Sequence, residues 1–146
     1  MRVMKHAGPV EVVPIGLQPG EMLLESITQA CKEHDIRTGA VVSGIGTLNS
    51  CQMHYITHTG FPPSDELYTI KGPLELLSVS GLIVNGEPHL HVVVSRGKEE
   101  VWGGHLEPDS EVCYLAEIAI LKFNDLRLAR HVDEERKVRL LGPAEG

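Results

Sequence analysis

Glu87-Pro88-His89-Leu90-His91-Val92-Val93-Val94-Ser95-Arg96-Gly97-Lys98-Glu99-Glu100-Val101-Trp102-Gly103-Gly104-His105-Leu106 is the stretch on which the reading of this chain turns. It carries three of the eight histidines, in or beside apolar, β-branched sequence. After Pro88, Leu90 and Val92 to Val94 form a β-rich run. Residues two apart in a strand share a face, so His89 and His91 point one way and Leu90 and Val92 the other. Ser95-Arg96-Gly97-Lys98 has turn chemistry, and Glu99 to Gly103 can run back as a second strand. A three-residue connection over Arg96 to Lys98, with Gly97 free to take positive φ, pairs Ser95 with Glu99, Val93 with Val101, His91 with Gly103 and His89 with His105. All three imidazoles then share a face, with opposed Cβ atoms about 4.5–5.5 Å apart. An even-length loop would turn His105 to the other face unless Gly103-Gly104 formed a bulge. Three clustered imidazoles suit zinc or another divalent transition metal and leave a fourth position for water or a small ligand. The competing reading is an ordinary half-exposed polar strand face.

Working outward, Asn85-Gly86 is a tight hairpin turn feeding this strand. Before it, Leu74 to Val84 reads as a strand in which Leu74, Leu76, Ser78 and Ser80 alternate with Glu75, Leu77, Val79 and Gly81. Glu75 is a candidate orienter for a ligating histidine, or else a Glu at a sheet margin. Lys71-Gly72-Pro73 separates this strand from another over Glu66 to Ile70. Val10, Val12, Val13 and Ile15 predict a first strand interrupted or ended at Pro14, which lacks an amide donor. Glu21 to His34 reads as the one clear helix, with Leu23, Ile27, Ala30, Cys31 and His34 on one face. Thr38 to Leu48 contains a buried-looking strand at Ala40 to Ser43. Gly44-Ile45-Gly46 marks a bend or bulge, since a dinucleotide fingerprint needs a third glycine and a following helix. Ser50 to Thr57 predicts another strand. His54 and His58 are assigned to surface or loop positions, because the glycine and prolines that follow argue against a helical His pair. Phe61 to Asp65 and Glu107 to Ser110 read as loops. Val112 to Phe123 fits both periods and is taken as strand.

The predicted fold class is therefore α+β: one domain over residues 1–146, with its core at about 8–125 and a charged tail from about 130. It has a mostly antiparallel sheet of about six or seven strands and one helix at about 21–34. One helix leaves apolar sheet surface open, which oligomerisation would cover.

With 146 residues the chain suits one well-cored domain. The formal net charge of −7 works against phosphate backbones, and six aromatics leave little for base stacking. Cys31, Cys51 and Cys113 are odd in number and lack Cys-x-x-Cys spacing, which predicts a reducing compartment. The N-terminus has no apolar leader pattern, and no apolar run approaches the roughly 20 residues of a membrane span. These features predict a soluble, cytoplasmic protein that makes no membrane contact.

Pro88-His89-Leu90-His91 followed by Gly103-Gly104-His105-Leu106 resembles the signature of the PPC (plants and prokaryotes conserved) domain family. Pro19-Gly20-Glu21 resembles the opening of that family's helix. Ser43-Gly44-Ile45-Gly46-Thr47-Leu48 resembles its glycine-containing strand, and Leu74-Glu75-Leu76-Leu77-Ser78-Val79-Ser80-Gly81 the strand before the histidines. The likeness runs over about residues 8–125. It implies a homotrimer and, as in some prokaryotic members, a metal at the positions of His89, His91 and His105, near the subunit contact.

The leading expectation is thus an oligomeric metal-binding domain, with zinc or a similar ion on His89, His91 and His105 and a small molecule or anion at the open position. The alternative is a DNA-associated or protein-interaction domain, as in plant relatives that join this domain to an AT-hook. No Arg-Gly-Arg-Pro segment occurs here and the charge is acidic, so direct nucleic-acid binding is disfavoured. The third is a metal-dependent hydrolase or lyase using Glu75, Glu107 or Asp109 as general base. No spacing singles out a base, and catalysis ranks below binding.

Overall fold

The computed structural model describes residues 1–144. In chain order it contains β1 (Val10–Leu17), α1 (Leu23–Glu33), β2 (Thr38–Ile56), β3 (Asp65–Val84), β4 (Glu87–Arg96), β5 (Glu100–Leu106), β6 (Val112–Phe123), β7 (Leu128–Asp133) and β8 (Val138–Pro143). Six strands form one sheet in the order β1-β6-β2-β3-β4-β5, and β5 pairs back onto β2. Strands β2 to β5 therefore close on themselves, while β7 and β8 make a separate two-stranded ribbon. Every pairing is antiparallel. This is the predicted α+β architecture.

Helix α1 buries Leu23, Ile27 and Cys31, the face its periodicity marked. Glu25 lies in its first turn and Lys32 in its last, each matched to the helix dipole. The Lys122 ammonium also donates to the His34 carbonyl at 3.0 Å, bringing a second cation to the C-terminal end. Beneath the helix lies a core that includes Ile36, Leu48, Met53, Leu76, Val79, Ile83, Leu90, Val92, Leu106 and Ile120. In β4 the alternation is strict. Leu90, Val92 and Val94 are buried, and His89, His91 and Val93 are exposed on the other face.

Several boundaries differ from the sequence reading. Pro14 does not end β1, which pairs through it with Ala119 and runs on to Leu17. Because β1 is an edge strand, a residue without an amide proton is tolerated there. The two strands expected over residues 38–57 are one strand, β2, with a register irregularity between Leu48 and Ser50. Likewise β3 runs unbroken through Lys71-Gly72-Pro73. The long strands let β2 change neighbours. Its first half lies between β6 and β3, and its second half between β3 and β5. The charged stretch from about 130 forms most of the β7–β8 ribbon. Cys31, Cys51 and Cys113 are free thiols. Among the described residues, no helix is long and apolar enough to cross a membrane.

Candidate metal centre

The β4–β5 hairpin folds back as predicted, but two residues out of the expected register. Arg96 pairs with Glu100, Ser95 with Val101, Val93 with Gly103 and His91 with His105. The loop is Gly97 to Glu99, with Gly97 at φ +62°. The Arg96 guanidinium donates to both Glu100 carboxylate oxygens, at 2.7 and 2.9 Å, and lies 5.1 Å over the Trp102 ring. This two-pronged cross-strand pair accounts for the hairpin closing at Arg96–Glu100. A shift of two residues preserves parity, so His105 stays on the face of His89 and His91. Its direct partner is His91 rather than His89, and it is Val93 that faces Gly103.

One ligand atom from each of His89, His91 and His105 lies within 4.8 Å of the other two. The ring centroids are 5.7 Å apart for His89–His91, 4.7 Å for His89–His105 and 5.5 Å for His91–His105. His89 and His91 are exposed and His105 is half-buried. Two glycines permit the approach of neighbouring strands. At Gly81, opposite Leu90, φ is +152°, and a Cβ there would collide with the His89 carbonyl. A Cβ on Gly104 would come within 2.7 Å of the His54 carbonyl on β2.

The structure adds a histidine that the sequence reading set aside. His54 pairs with His105 across β2 and β5, and their rings stack with centroids 4.3 Å apart. His54 Nδ1 is 2.5 Å from Glu107 Oε1, and Nε2 is 3.9 Å from Asp65 Oδ2. Nothing in local spacing marks His54, because its neighbours come from β5 only through closure of the sheet. Glu75 is not beside the imidazoles. It is exposed and pairs with Thr47 and Ser95, and Ser95 lies four residues along β4 from His91, about 13 Å. Distance along the strand separates it, not the face, since its partner Ser95 lies on the same side of β4 as His89 and His91. The carboxylate at the cluster is Glu107, considered earlier only as a possible base. Asp109 lies towards α1, its amide donating to Glu25 Oε1 at 2.9 Å. His58 sits in an exposed loop and accepts the Gly60 amide at 3.0 Å.

Electrostatics favour neutral rings. Burial pushes His105 down to about 4, assisted by His54, His89 and His91 and opposed by Glu107. Partial desolvation holds His89 below the ordinary imidazole range even though its side chain reaches solvent, with Arg130 and the rings of His91 and His54 acting the same way. Arg130, on β7, donates to the carbonyls of Leu82 and Glu87 at 3.2 and 3.4 Å, and Leu82 is the strand partner of His89. Neutral imidazoles present the lone pairs that a metal needs, so this donor set fits a divalent transition ion.

A pH dependence follows for protein stripped with a chelator. An unfolded histidine titrates near 6.5, whereas folded His105 takes its proton only at about 4. Between these values the unfolded chain binds more protons, so stability falls as pH drops from about 6.5 towards 4 and levels off below. Discounted for screening at this half-buried site, the loss is on the order of 1–2 kcal/mol. Urea titrations at pH 7 and pH 4.5 should show it, compared with the same pair of titrations on His105→Ala. An equal acid loss in that variant would assign the effect elsewhere.

Fold and cluster together define a single-helix α+β domain with imidazoles gathered on the outer face of a closed antiparallel sheet. The sequence profile of the Plants and Prokaryotes Conserved (PCC) domain matches residues 4–124, and the chain belongs to that family, the one whose signature residues were quoted above. A metal-containing protein from Archaeoglobus fulgidus has a similar structure, with a TM-score of 0.80 and 26% identity, over 96% of this chain and 98% of that one. A plant- and prokaryote-conserved protein from Pyrococcus horikoshii matches with a TM-score of 0.80 and 26% identity, over 98% and 99% of the two chains. The bifunctional protein GlmU of a Synechococcus strain is 29% identical over 126 residues, 86% of this chain. The chain spans only 19% of the length of that relative.

Proposed function

We propose that this protein is an oligomeric metal-binding domain that holds one divalent transition ion, such as zinc, on His89, His91 and His105. The observation that carries the reading is the convergence of three imidazole donors within 4.8 Å on one sheet face. The lowered proton affinity of His89 and His105 supports it, because the rings are ready to ligate at neutral pH. The metal-containing relative from Archaeoglobus fulgidus, at 26% identity, points the same way. Three protein ligands leave room for a small molecule or anion, and a bound ion would act there as a Lewis acid.

Oligomerisation is supported by apolar side chains left exposed on the sheet. Val42, Ile45, Leu77, Val101 and Tyr114 are each about half exposed or more, with Tyr114 at 74% and Val101 at 62%. A second or third copy would take them out of water, and a homotrimer is the assembly the family likeness implies. The net charge of −7 continues to weigh against direct nucleic-acid binding. Catalysis remains ranked below binding.

The test is elemental analysis together with sedimentation, on protein purified without a His-tag. About one zinc per chain in a three-chain particle is expected. Absence of metal after incubation with excess zinc would sink the metal reading, and a monomer at micromolar concentration would sink the assembly.

A further inference from the structure

The seam that holds His89, His91 and His105 also holds a second set of donors. His54, His105 and Glu107 each place one ligand atom within 4.8 Å of the other two. All three are half-buried. They are positioned by backbone rather than by loop chance. His54 and His105 are strand partners, and the Glu107 amide donates to the Gln52 carbonyl at 2.9 Å. The Tyr68 hydroxyl donates to the Gly103 carbonyl at 3.0 Å, tying β3 to β5 beside them. A carboxylate stands near each nitrogen of the His54 ring, Glu107 at Nδ1 and Asp65 at Nε2. Two histidines with one glutamate are a zinc donor set in their own right. Asp65 Oδ2 lies 3.9 Å from Nε2, on the side of the ring from which a carboxylate ordinarily orients a ligating imidazole.

We propose that the β2–β5 seam is a second seat for a divalent cation, built from His54, His105 and Glu107 and alternative to the first. It rests on the metal reading above only in that the two seats share His105. A neutral imidazole offers a single lone pair, so one ion takes one seat or the other. The seats differ chemically. The first offers three neutral nitrogens, whereas the second adds a charged oxygen, which shifts its preference towards harder ions such as Mn²⁺. Sequence spacing could not reveal this arrangement, because His54 and Glu107 meet only where β2 leaves its sheet neighbour β6 and closes onto β5.

The experiment titrates Zn²⁺ against a competing chelator into tag-free protein. Wild type should bind one ion per chain. His91→Ala damages only the first seat, so it should keep one ion at an affinity lowered roughly 10–100-fold. Adding Glu107→Gln or His54→Ala to His91→Ala should weaken binding by a further tenfold or more. Circular dichroism identifies any variant that has lost its fold, and the two partner substitutions give independent trials of the same seat. Should both double variants bind as tightly as His91→Ala alone, the second seat is disproved and the first stands. If His91→Ala binds like wild type while Glu107→Gln abolishes binding, the second seat stands and the first is disproved. Wild type that binds no zinc removes both.

Discussion

Replacing His89, His91 and His105 together with alanine is expected to take bound zinc from about one ion per chain to near none, with the fold intact. His105 belongs to both donor sets, so the triple variant leaves neither with more than two ligands. His89 and His91 are exposed on the outer face while Leu90 and Val92 hold β4 to the core, so the substitutions open no cavity there. The consequence should reach stability as well. An ion that binds only the folded chain stabilises it by about 2.7 kcal/mol when its free concentration is 100 times Kd. For a chain of this size that is a rise in Tm of roughly 5–10 °C. Wild type should show this rise on adding zinc, and the triple variant should show none. Thermal scans with and without zinc measure it, beside metal analysis of the same samples. A triple variant that still carried one zinc per chain would place the metal away from these imidazoles.

Gly81→Ala is expected to destabilise the protein by about 3 kcal/mol or more, or to prevent folding. At φ +152° the backbone has a conformation that L side chains rarely adopt, and the new methyl would meet the His89 carbonyl, a backbone atom that cannot swing aside. Relief requires β3 and β4 to part where Gly81 faces Leu90, next to the first ligand. Gly16→Ala is the matched control. Nothing lies within 4 Å of a Cβ at that position, and its effect should stay within about 0.5 kcal/mol. Guanidinium denaturation of the three proteins decides the matter. Near-wild-type stability in Gly81→Ala would mean that β3 and β4 do not approach as described.

The helix and the histidine strand were legible because their signals are local. Leu23, Ile27 and Cys31 recur at helical spacing and are buried. His89 and His91 flank Leu90 in a strand, so their shared face needs only the pleat. The β4–β5 register was off by two residues because nothing in the turn itself announces the Arg96–Glu100 pair, which forms only when the strands already face one another. Parity survived because the error was even. Glu75 was misplaced because alternation fixes a face and not a distance: it stands across from Ser95, four residues along β4 from His91.

The order of residues alone therefore determined the α+β class, the buried face of the helix and the common face of His89 and His91. Each depends on periods of two or 3.6 residues that a short segment carries within itself. The tertiary structure alone decided that His54 and Glu107 join them and that Glu75 does not. Those outcomes depend on β5 closing onto β2 and on the register of β3 against β4, and both are set by how distant strands pack over the shared core. Pairing across such distances leaves no mark at either position taken singly, because its energy lies in the packed interface rather than in the local chain.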